Sequence, residues 1–383
     1  MRIFLLHYYL KHPTPAYGQL AAALRRRGHE VWIGSPDKDF DLAWHDGQAV
    51  IDKCIGPGQR TGRPDNRSAL VQNWAFLRRV RQSIRRHGPD VVQVNPAAFP
   101  FVGALPLRMP SGTHFVIDWR QVAAPTASGI VDRWKQACKR ALRTIASRYL
   151  FDRATFCHEA GATMFLGSRW AQWATVVPLG VDARFLTAPD RARVDVEGRN
   201  VRFLYIGRLS RVRKLDRLLD AAALLKQQTN KFELHLVGPD NAEGYYQAEI
   251  RRLGLDDVVA VLPAVAYNEI PQLVSAADVA MAYVPEEPTD WQYHPTLKVL
   301  EYRALGVPMI ATDVRPNRQE VENGINGLLC GNDAAAWASA MATFVGHSER
   351  AAAFRDRAQS MRRAISWCDV AEMYERDVYM TMV

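Results

Sequence analysis

The sequence predicts an α/β protein made of two doubly wound, Rossmann-like domains that face each other across a cleft. In both halves of the 383 residues, short apolar runs alternate with longer segments of helical periodicity, as in a parallel sheet covered by helices. The alternation pauses at 181–199, a polar stretch rich in Asp and Arg. We therefore expect a first domain over 1–180, a linker over 181–199, a second domain over 200–360, and a C-terminal helix over 361–383 that can cross back to the first domain.

Six short apolar runs are the candidate strands of the first half. They are Ile3–Leu6, Val31–Gly34, Val91–Val94, His114–Ile117, Ala154–Cys157 and Thr175–Val177. Helices are predicted at Gly18–Arg27, which stops at Gly28, and at 67–87, where apolar residues recur at helical spacing. This alternation predicts parallel strands joined by helical crossovers.

The same alternation restarts after the predicted linker. Its strands are Val201–Ile206, Phe232–Val237, Val258–Leu262, Val279–Tyr283 and Pro308–Thr312, and its helices are Leu215–Gln227, Ala242–Leu253, Glu269–Ala276 and Leu297–Ala304. The tail Ser348–Val383 is predicted to be helical throughout. Because ligands of doubly wound sheets bind outside the carboxyl ends of the strands, two such domains offer places for a nucleotide and a second substrate.

Composition limits the partner and the compartment. The formal net charge of +9 indicates an anionic partner, which can be a nucleotide, a nucleic acid, an acidic saccharide or an anionic membrane surface. The five cysteines are scattered without a CxxC pair, which argues against a disulfide framework or zinc site and favours a reducing compartment. The first apolar run is too short for a signal peptide. We expect a cytoplasmic protein, with peripheral attachment to the inner face of the cell membrane left open.

A basic loop follows the predicted strand Val201–Ile206. Gly207 allows a tight turn, and Arg208, Arg213 and Lys214 cluster before the next helix begins. A helix N-terminus beside fixed cations is suited to phosphate, and guanidinium forks match phosphate oxygens in pairs. The alternative is a solvated basic loop without a ligand.

A further cation lies at the start of the predicted helix Leu297–Ala304. Thr296 is placed to cap this helix, and Lys298 falls in its first turn, where a cation opposes the helix dipole. A bound anion would remove that conflict. Glu301 is placed to anchor Lys298 or to accept hydrogen bonds from hydroxyls of a sugar or ribose. The alternative is an ordinary exposed Lys–Glu pair.

Five segments in order resemble the glycosyltransferases with two Rossmann-like domains, the large family that includes glycogen and sucrose synthases and many bacterial polysaccharide enzymes. They are the Gly207-Arg208-Leu209 turn with Arg213, VPLGVD at 177–182, LVGPDN at 236–241, GLDDVVAVLPAV at 254–265, and the Glu301 helix followed by ENGINGL at 322–328. The resemblance covers nearly the whole chain and implies the GT-B fold. Many family members carry a pair of glutamates on the helix segment, and Tyr293 occupies the place of the first.

The family resemblance implies roles for single residues. Arg208, together with Arg213 or Lys214, corresponds to the pair that holds the donor diphosphate. Glu301 corresponds to the glutamate that touches the donor ribose or sugar, and the strand end at Val265 would face the base. Gly207, which forms the turn, is counted with these donor-binding residues.

The run from 283 to 301 also resembles the xanthan glucuronosyltransferase, in which a tyrosine and a lysine bind uridine diphosphate. Tyr283 and Lys298 match these two residues in type and spacing. This implies a UDP-sugar donor, and an acidic sugar would suit the basic chain. Because cations and a helix end can neutralise the leaving diphosphate, we predict no metal and no further cofactor.

Asp118 is the predicted catalytic residue. It lies at the end of a predicted strand, where a carboxylate can deprotonate an acceptor hydroxyl or stabilise a charged transition state. The alternative is that Asp118 caps a loop or pairs with Arg120. His158 and Glu159, which also follow a strand, form a second candidate pair.

One basic helix is predicted to carry an apolar stripe. Its members are Val131, Trp134, Cys138, Leu142, Ile145 and Tyr149, and six Arg and Lys residues lie on the remaining surface. A helix whose stripe packs on the core is the favoured interpretation. Contact with anionic lipid headgroups is the alternative.

The predicted activity is transfer of a sugar from a nucleotide diphosphate, with UDP favoured, to a saccharide acceptor that can be lipid-linked, in polysaccharide or glycoconjugate synthesis. One rival is another nucleotide-sugar enzyme on the same fold, such as an epimerase. A second rival is a nucleic-acid-binding protein, which the net charge suggests. It lacks a recognisable recognition helix or aromatic-basic module, so nucleic acid is not expected as a partner.

Overall fold

A computed structural model describes residues 1–6, 15–34, 50–52, 77–78, 80–96, 106, 109, 112–120, 130–188, 199–286 and 289–383. The chain forms two compact units. Unit 1 consists of Met1–Gly180 and Ile365–Val383, and unit 2 is Val181–Ala364. The predicted linker 181–199 thus belongs to unit 2, although 189–198 lie outside the described residues.

Unit 1 contains a sheet of seven parallel strands in the order β3-β2-β1-β4-β5-β6-β7. The strands are β1 Arg2–Leu6, β2 Glu30–Gly34, β3 Val50–Asp52, β4 Val91–Val94, β5 His114–Trp119, β6 Arg153–Phe156 and β7 Ala174–Val176. β1 is buried from its second residue onward and β4 throughout, as expected for central strands that are covered on both faces.

The helices of unit 1 cover this sheet. They are α1 Pro15–Arg26, α2 over 80–87, α3 Ile130–Tyr149, α4 Glu159–Leu166 and, after unit 2, α13 Trp367–Tyr374. The predicted start of α2, from 67, lies outside the described residues. Leu77, Val80 and Ile84, three of its predicted apolar stripe, are buried. Periodicity thus placed the core-facing side of this helix correctly.

The segment Ile365–Val383 completes unit 1 from the far end of the chain. Ser366 begins α13 with a capping box, in which its hydroxyl accepts from the Asp369 N–H and Asp369 in turn accepts from Ser366. Val370 and Tyr374 pack in one apolar cluster with Tyr17 on α1. The tail is therefore not helical throughout, because the chain is non-helical over 362–366.

Unit 2 contains six parallel strands in the order β10-β9-β8-β11-β12-β13. They are β8 Val201–Ile206, β9 Phe232–Val237, β10 Val259–Leu262, β11 Val279–Ala282, β12 Met309–Thr312 and β13 Gly327–Cys330. Neither β13 nor the short β3 of unit 1 was predicted. Both units thus have the doubly wound parallel sheets that the sequence predicts.

The helices of unit 2 lie around this sheet. They are α5 Ala183–Leu186, α6 Asp216–Lys226, α7 Tyr245–Arg252, α8 Ile270–Ala276, α9 Leu297–Leu305, α10 Arg315–Arg318, α11 Ala334–Ala342 and α12 Ser348–Ser360. Two apolar clusters fill the spaces against the sheet, one around Phe203 and Trp337 and one around Leu204 and Tyr302. Successive residues Phe203 and Leu204 point to opposite faces, so both faces of β8 are buried. In the part of the chain that the structure describes, no helix has the length and apolar character needed to cross a bilayer.

Candidate active site

The topological switch point of the unit 2 sheet lies between β8 and β11, where doubly wound sheets bind ligands. Gly207 follows β8 at φ +154°, and Gly238 follows β9 at φ +151°. A Cβ on Gly238 would lie 2.0 Å from the Gly207 carbonyl oxygen, so only glycine permits the two strand ends to meet backbone to backbone.

The basic loop after Gly207 is fixed by hydrogen bonds. The N–H of Leu209 donates to the Pro239 carbonyl at 3.0 Å. The Tyr246 hydroxyl donates to the Ser210 carbonyl at 2.8 Å. Arg208 is exposed in this loop, and no described residue pairs with its guanidinium. The loop thus presents Arg208 from a rigid backbone.

Helix α6, which follows this loop, has its own negative charge at its start. Asp216 lies in the first turn, where a carboxylate complements the helix dipole. Asp216 Oδ1 also accepts a hydrogen bond from the Tyr245 hydroxyl at 2.6 Å. Lys214 lies two residues before Asp216; its side chain is exposed, and its backbone has the left-handed conformation with φ 48°. The N-terminus of α6, where the sequence predicted an anion site, is therefore already complemented by the carboxylate of Asp216.

The start of α9 is different, because no described residue supplies a complementary negative charge or a side-chain cap there. Its first turn holds no acidic residue, and the N-cap Thr296 makes no capping hydrogen bond. Thr296 Oγ1 is buried and has no partner among the described residues. A buried hydroxyl in this state costs about 1–3 kcal/mol unless a ligand or water pairs with it. The start of α9 therefore has the unmet hydrogen-bonding capacity of a binding site.

Lys298 places its ammonium at the open start of α9. Its Nζ lies 4.0 Å from the centroid of the Tyr205 ring. A Cβ on Gly207 would lie 3.0 Å from the same Nζ, so the glycine leaves room for the charge. No hydrogen bond or ion pair joins the Lys298 ammonium to any residue that the structure describes. The ring face of Tyr205 supplies a cation–π contact and no neutralising charge.

Arg213 comes from the loop after β8 and Lys298 from the first turn of α9, yet the charge of Arg213 acts on Lys298. Burial and then Arg213 lower the pKa of Lys298 to about 7, against the opposing effect of Glu301. The Arg213 guanidinium lies 4.0 Å from the centroid of the Trp291 ring, and it has no carboxylate partner in the described chain. Like charges that converge without an anion indicate a site for an anionic ligand.

Glu301 lies one turn after Lys298 on the same helix. Its side chain is buried, and Oε1 accepts a hydrogen bond from the Tyr267 hydroxyl at 2.9 Å. Burial raises the pKa of Glu301 to about 7, while Tyr267 and Lys298 act in the opposite direction. Within the described residues, Oε2 has no donor. The carboxylate is thus held by Tyr267 rather than by an ion pair with Lys298, and one oxygen is left for a ligand.

Two family models match the chain. Residues 200–347 match "Glycosyl transferases group 1", and residues 13–164 match "Glycosyl transferase 4-like domain". Together the two matches take in most of both units. The chain belongs to the GT-B glycosyltransferases. The predicted family and fold class are confirmed.

A curated relative agrees with this membership. This glycosyltransferase is 33% identical over 174 residues to the D-inositol 3-phosphate glycosyltransferase of Pseudarthrobacter chlorophenolicus, a match that covers 43% of this chain and 40% of the relative. The match therefore spans less than half of that relative's length.

Two solved structures share the fold over the whole chain. Anabaena HepE in complex with UDP-glucose superposes with a TM-score of 0.74 at 18% identity and covers 100% of both chains. The sucrose-phosphate synthase of Thermosynechococcus elongatus also gives 0.74, at 17% identity, and covers 100% of this chain and 98% of that one. At these identities the likeness concerns the fold alone.

Two other predicted donor residues of this glycosyltransferase occupy different environments. Val265 follows β10 and is 37% exposed, so it is accessible at the carboxyl edge of the sheet. Tyr283 follows β11, but it is only 3% exposed and packs edge to face on Trp337 with ring centroids 5.5 Å apart. The prediction that Tyr283 contacts the donor does not fit this position, because the ring is part of the core.

Asp118 lies in the interior of unit 1, at the end of β5, and is 1% exposed. Five side chains donate hydrogen bonds to its carboxylate: Tyr17 at 2.8 Å, Gln93 at 2.9 Å, Arg120 at 2.7 Å, Thr155 at 2.9 Å and Tyr374 at 3.2 Å. Asp118 is thus paired with Arg120, as the alternative interpretation of the sequence proposed. The prediction that Asp118 is the catalytic base does not fit, because a buried carboxylate with five donors has no free lone pair for an acceptor proton.

The second candidate pair divides between two roles. His158 is buried and caps α4, since its Nδ1 accepts a hydrogen bond from the Ala160 N–H at 2.9 Å. Glu159 is exposed in the first turn of the same helix. Asp118 and Glu159 were the two carboxylates of unit 1 proposed as catalytic residues of this glycosyltransferase. Of these two, Glu159 is the one exposed to solvent.

Three aromatic residues of the site were missed from the sequence. Tyr205 lies under Lys298, Trp291 under Arg213, and Tyr267 holds Glu301. Tyr205 cannot be told from an ordinary strand residue in the sequence. Trp291 lies inside the run 283–301, whose resemblance to a UDP-binding segment was the signal that could have found it. In the described part of the chain, no group of three His, Cys, Asp or Glu residues could hold a metal ion, and metal independence remains a prediction.

Proposed function

We propose that this protein transfers a sugar from a UDP-sugar to a saccharide acceptor, with unit 2 holding the donor. The observation that carries the proposal is the pair of unneutralised cations, Lys298 and Arg213, at the open start of α9. A diphosphate would supply the missing negative charge and accept from Thr296 and the first amides of the helix. HepE, which shares this fold, has been solved with UDP-glucose, which supports uridine as the nucleoside.

The other predicted donor residues take places around the diphosphate. Arg208 approaches it from the rigid loop after β8, and Gly207 lets the backbone and the phosphate come close. Glu301 Oε2 accepts from a hydroxyl of the ribose or sugar, and Val265 lies beside the base.

In the proposed reaction, the bond between the anomeric carbon and the diphosphate oxygen breaks, and its electron pair stays on UDP. The acceptor hydroxyl oxygen forms the new bond to that carbon and gives its proton to a base, for which Glu159 is the candidate. Arg213 and Lys298 stabilise the negative charge that grows on the leaving group, which is the largest contribution a fixed site can make. No metal is required for this neutralisation.

The acceptor in this proposal is a saccharide that a lipid carries at an anionic membrane surface, on its cytoplasmic side. The net charge of +9 supports an anionic surface. D-Inositol 3-phosphate belongs among the acceptors to be tested, because a relative that matches 43% of this chain is named for it.

Calorimetry with UDP, UDP-glucose, UDP-glucuronic acid, GDP-mannose and ADP-glucose tests the donor part of the proposal. We expect binding of the uridine compounds and, with acceptor present, release of UDP together with a glycosylated product. An epimer of the donor sugar without a transfer product would favour the epimerase instead. Binding to random DNA, with no affinity for any nucleotide sugar, would favour the nucleic-acid-binding alternative.

Donor binding is expected to depend on pH through Lys298. The pKa of its ammonium is about 7 in the free protein, and bound diphosphate favours the protonated form. Affinity for UDP is therefore expected to fall by up to about tenfold for each pH unit above 7. The variant Lys298→Arg, which stays charged, is expected to lose this step. Calorimetry at pH 6, 7, 8 and 9 on both proteins measures it, and parallel profiles would contradict the role of Lys298.

A further inference from the structure

Helix α3 of unit 1 turns its apolar side to solvent. Trp134 is 70% exposed, Leu142 54%, Ile145 50% and Tyr149 73%. These positions fall on one stripe of a 3.6-residue helix that runs for about 22 Å. The core-facing packing that the sequence favoured for this stripe is wrong for these four residues.

The opposite side of α3 holds the helix on unit 1 largely through polar groups. The Arg148 guanidinium donates to the Leu166 carbonyl at 2.9 Å, and Arg140 donates to the Met164 carbonyl. Arg143 lies over the Trp119 ring at 5.7 Å from its centroid. Ala146 packs in the apolar cluster of unit 1, but the large apolar side chains of the stripe face solvent, which is unusual for an amphipathic surface helix. Within the described part of unit 1, no packing accounts for the exposure of these four side chains, and exposed apolar stripes of this kind mark contact with an external partner.

The positive charge of α3 indicates what kind of partner its apolar stripe contacts. Its sequence holds six Arg and Lys residues and one Asp, a net charge of +5. A second copy docked by two-fold symmetry would set this charge against itself. A bilayer with anionic headgroups matches both features, because it takes apolar side chains at the acyl boundary and attracts a basic helix. Trp134 and Tyr149 mark the two ends of the stripe, and such rings favour the headgroup level.

We propose that the outward side of α3 is a membrane-docking surface, with Trp134, Leu142, Ile145 and Tyr149 entering the boundary between headgroups and acyl chains of an anionic bilayer. The helix lies in the plane of the membrane and does not cross it. This inference extends the proposed attachment to a membrane, and it assigns that attachment to one face of one helix.

Sedimentation of the full chain with vesicles tests the docking surface. We expect binding to vesicles of phosphatidylglycerol and phosphatidylcholine, at least tenfold weaker binding to phosphatidylcholine alone, and weakening by added salt. The double variant Leu142→Ser, Ile145→Ser is expected to lower binding to the anionic vesicles at least tenfold. The matched control is Met380→Ser, which removes another exposed apolar side chain from unit 1 and is expected to bind like the unchanged protein.

Several outcomes would overturn the proposal. They are equal binding by the double variant and the unchanged protein, equal binding to neutral and anionic vesicles, and self-association that the double variant abolishes. Calorimetry with UDP on the double variant separates this inference from the donor proposal. Vesicle binding without UDP binding would reject the donor site alone, and UDP binding without vesicle binding would reject the docking surface alone.

Discussion

The variant Lys298→Ala is expected to bind UDP about 10- to 100-fold more weakly than the unchanged protein. A hydrogen bond to a charged group contributes about 1.5–3 kcal/mol, and each 1.4 kcal/mol corresponds to a factor of ten in affinity. Within the described chain the ammonium has the cation–π contact with Tyr205 but no hydrogen bond or ion pair, so its removal is expected to cost the free protein little. Isothermal titration calorimetry with UDP measures the loss.

The stability of the same variant gives a second readout. Because the pKa of Lys298 is about 7 in the folded protein and near 10.4 in the unfolded chain, protonation favours the unfolded chain. This penalty is fully present below pH 7 and disappears as the pH rises toward 10.4. The variant is therefore expected to melt no lower than the unchanged protein at pH 6.

The control for Lys298 is Lys231→Ala, which removes the same charge from an exposed position just before β9, at the amino edge of the same sheet. It is expected to leave the affinity for UDP unchanged. If Lys298→Ala and Lys231→Ala bind UDP equally well, the diphosphate does not bind at the start of α9.

The variant Asp118→Asn is expected to destabilise unit 1 by about 3–5 kcal/mol, because breaking a buried ion pair leaves the partner charge unpaired. Arg120 would remain buried against the rings of Tyr17 and Trp367 without its carboxylate partner. For a unit of this size, each kcal/mol lowers Tm by roughly 2–4 °C, so a fall of about 6–20 °C is expected. Differential scanning calorimetry measures the fall, and UDP binding by unit 2 is expected to persist.

The comparison with Glu159→Gln decides between a structural and a catalytic Asp118. Glu159 is exposed, so this substitution is expected to leave Tm unchanged and, if Glu159 is the base, to lower turnover. The original prediction for Asp118 would stand only if Asp118→Asn keeps its Tm and loses turnover while Glu159→Gln remains active.

The strands were predictable where an apolar run is buried on both faces, as at β1, or where apolar and polar residues alternate, as at β9. β3 and β13 were missed although they are as long as β7 and β4, which were found, so length alone does not explain the difference. Both cations of the proposed donor site could be named from the sequence, since Arg213 and Lys298 stand out against helix starts. The aromatic rings that contact these cations, Tyr205 and Trp291, were missed. The sequence pattern around a tyrosine or tryptophan is the same whether its ring packs against a leucine or against a cation.

Two predictions do not fit the structure for a shared reason: periodicity and strand ends give the position of a side chain but not its neighbours. Asp118 does end a strand, yet Tyr374, a residue 256 positions away, fills the space beside it. The stripe on α3 does lie on one side of the helix, but the pattern alone could not say that this side faces outward.

The position of Ile365–Val383 in unit 1 has a consequence for the order of synthesis. Residues up to Gly180 leave the ribosome first, but the apolar face that takes Val370 and Tyr379 stays uncovered until all of unit 2 has been made. Domains tend to fold as they emerge, N-terminal first, yet here the later unit has its complete set of strands before the earlier one is closed. A nascent chain halted just after Ala364 would therefore expose the apolar face of unit 1 that Ile365–Val383 covers. In this state the protein would be most prone to aggregation and most dependent on a chaperone.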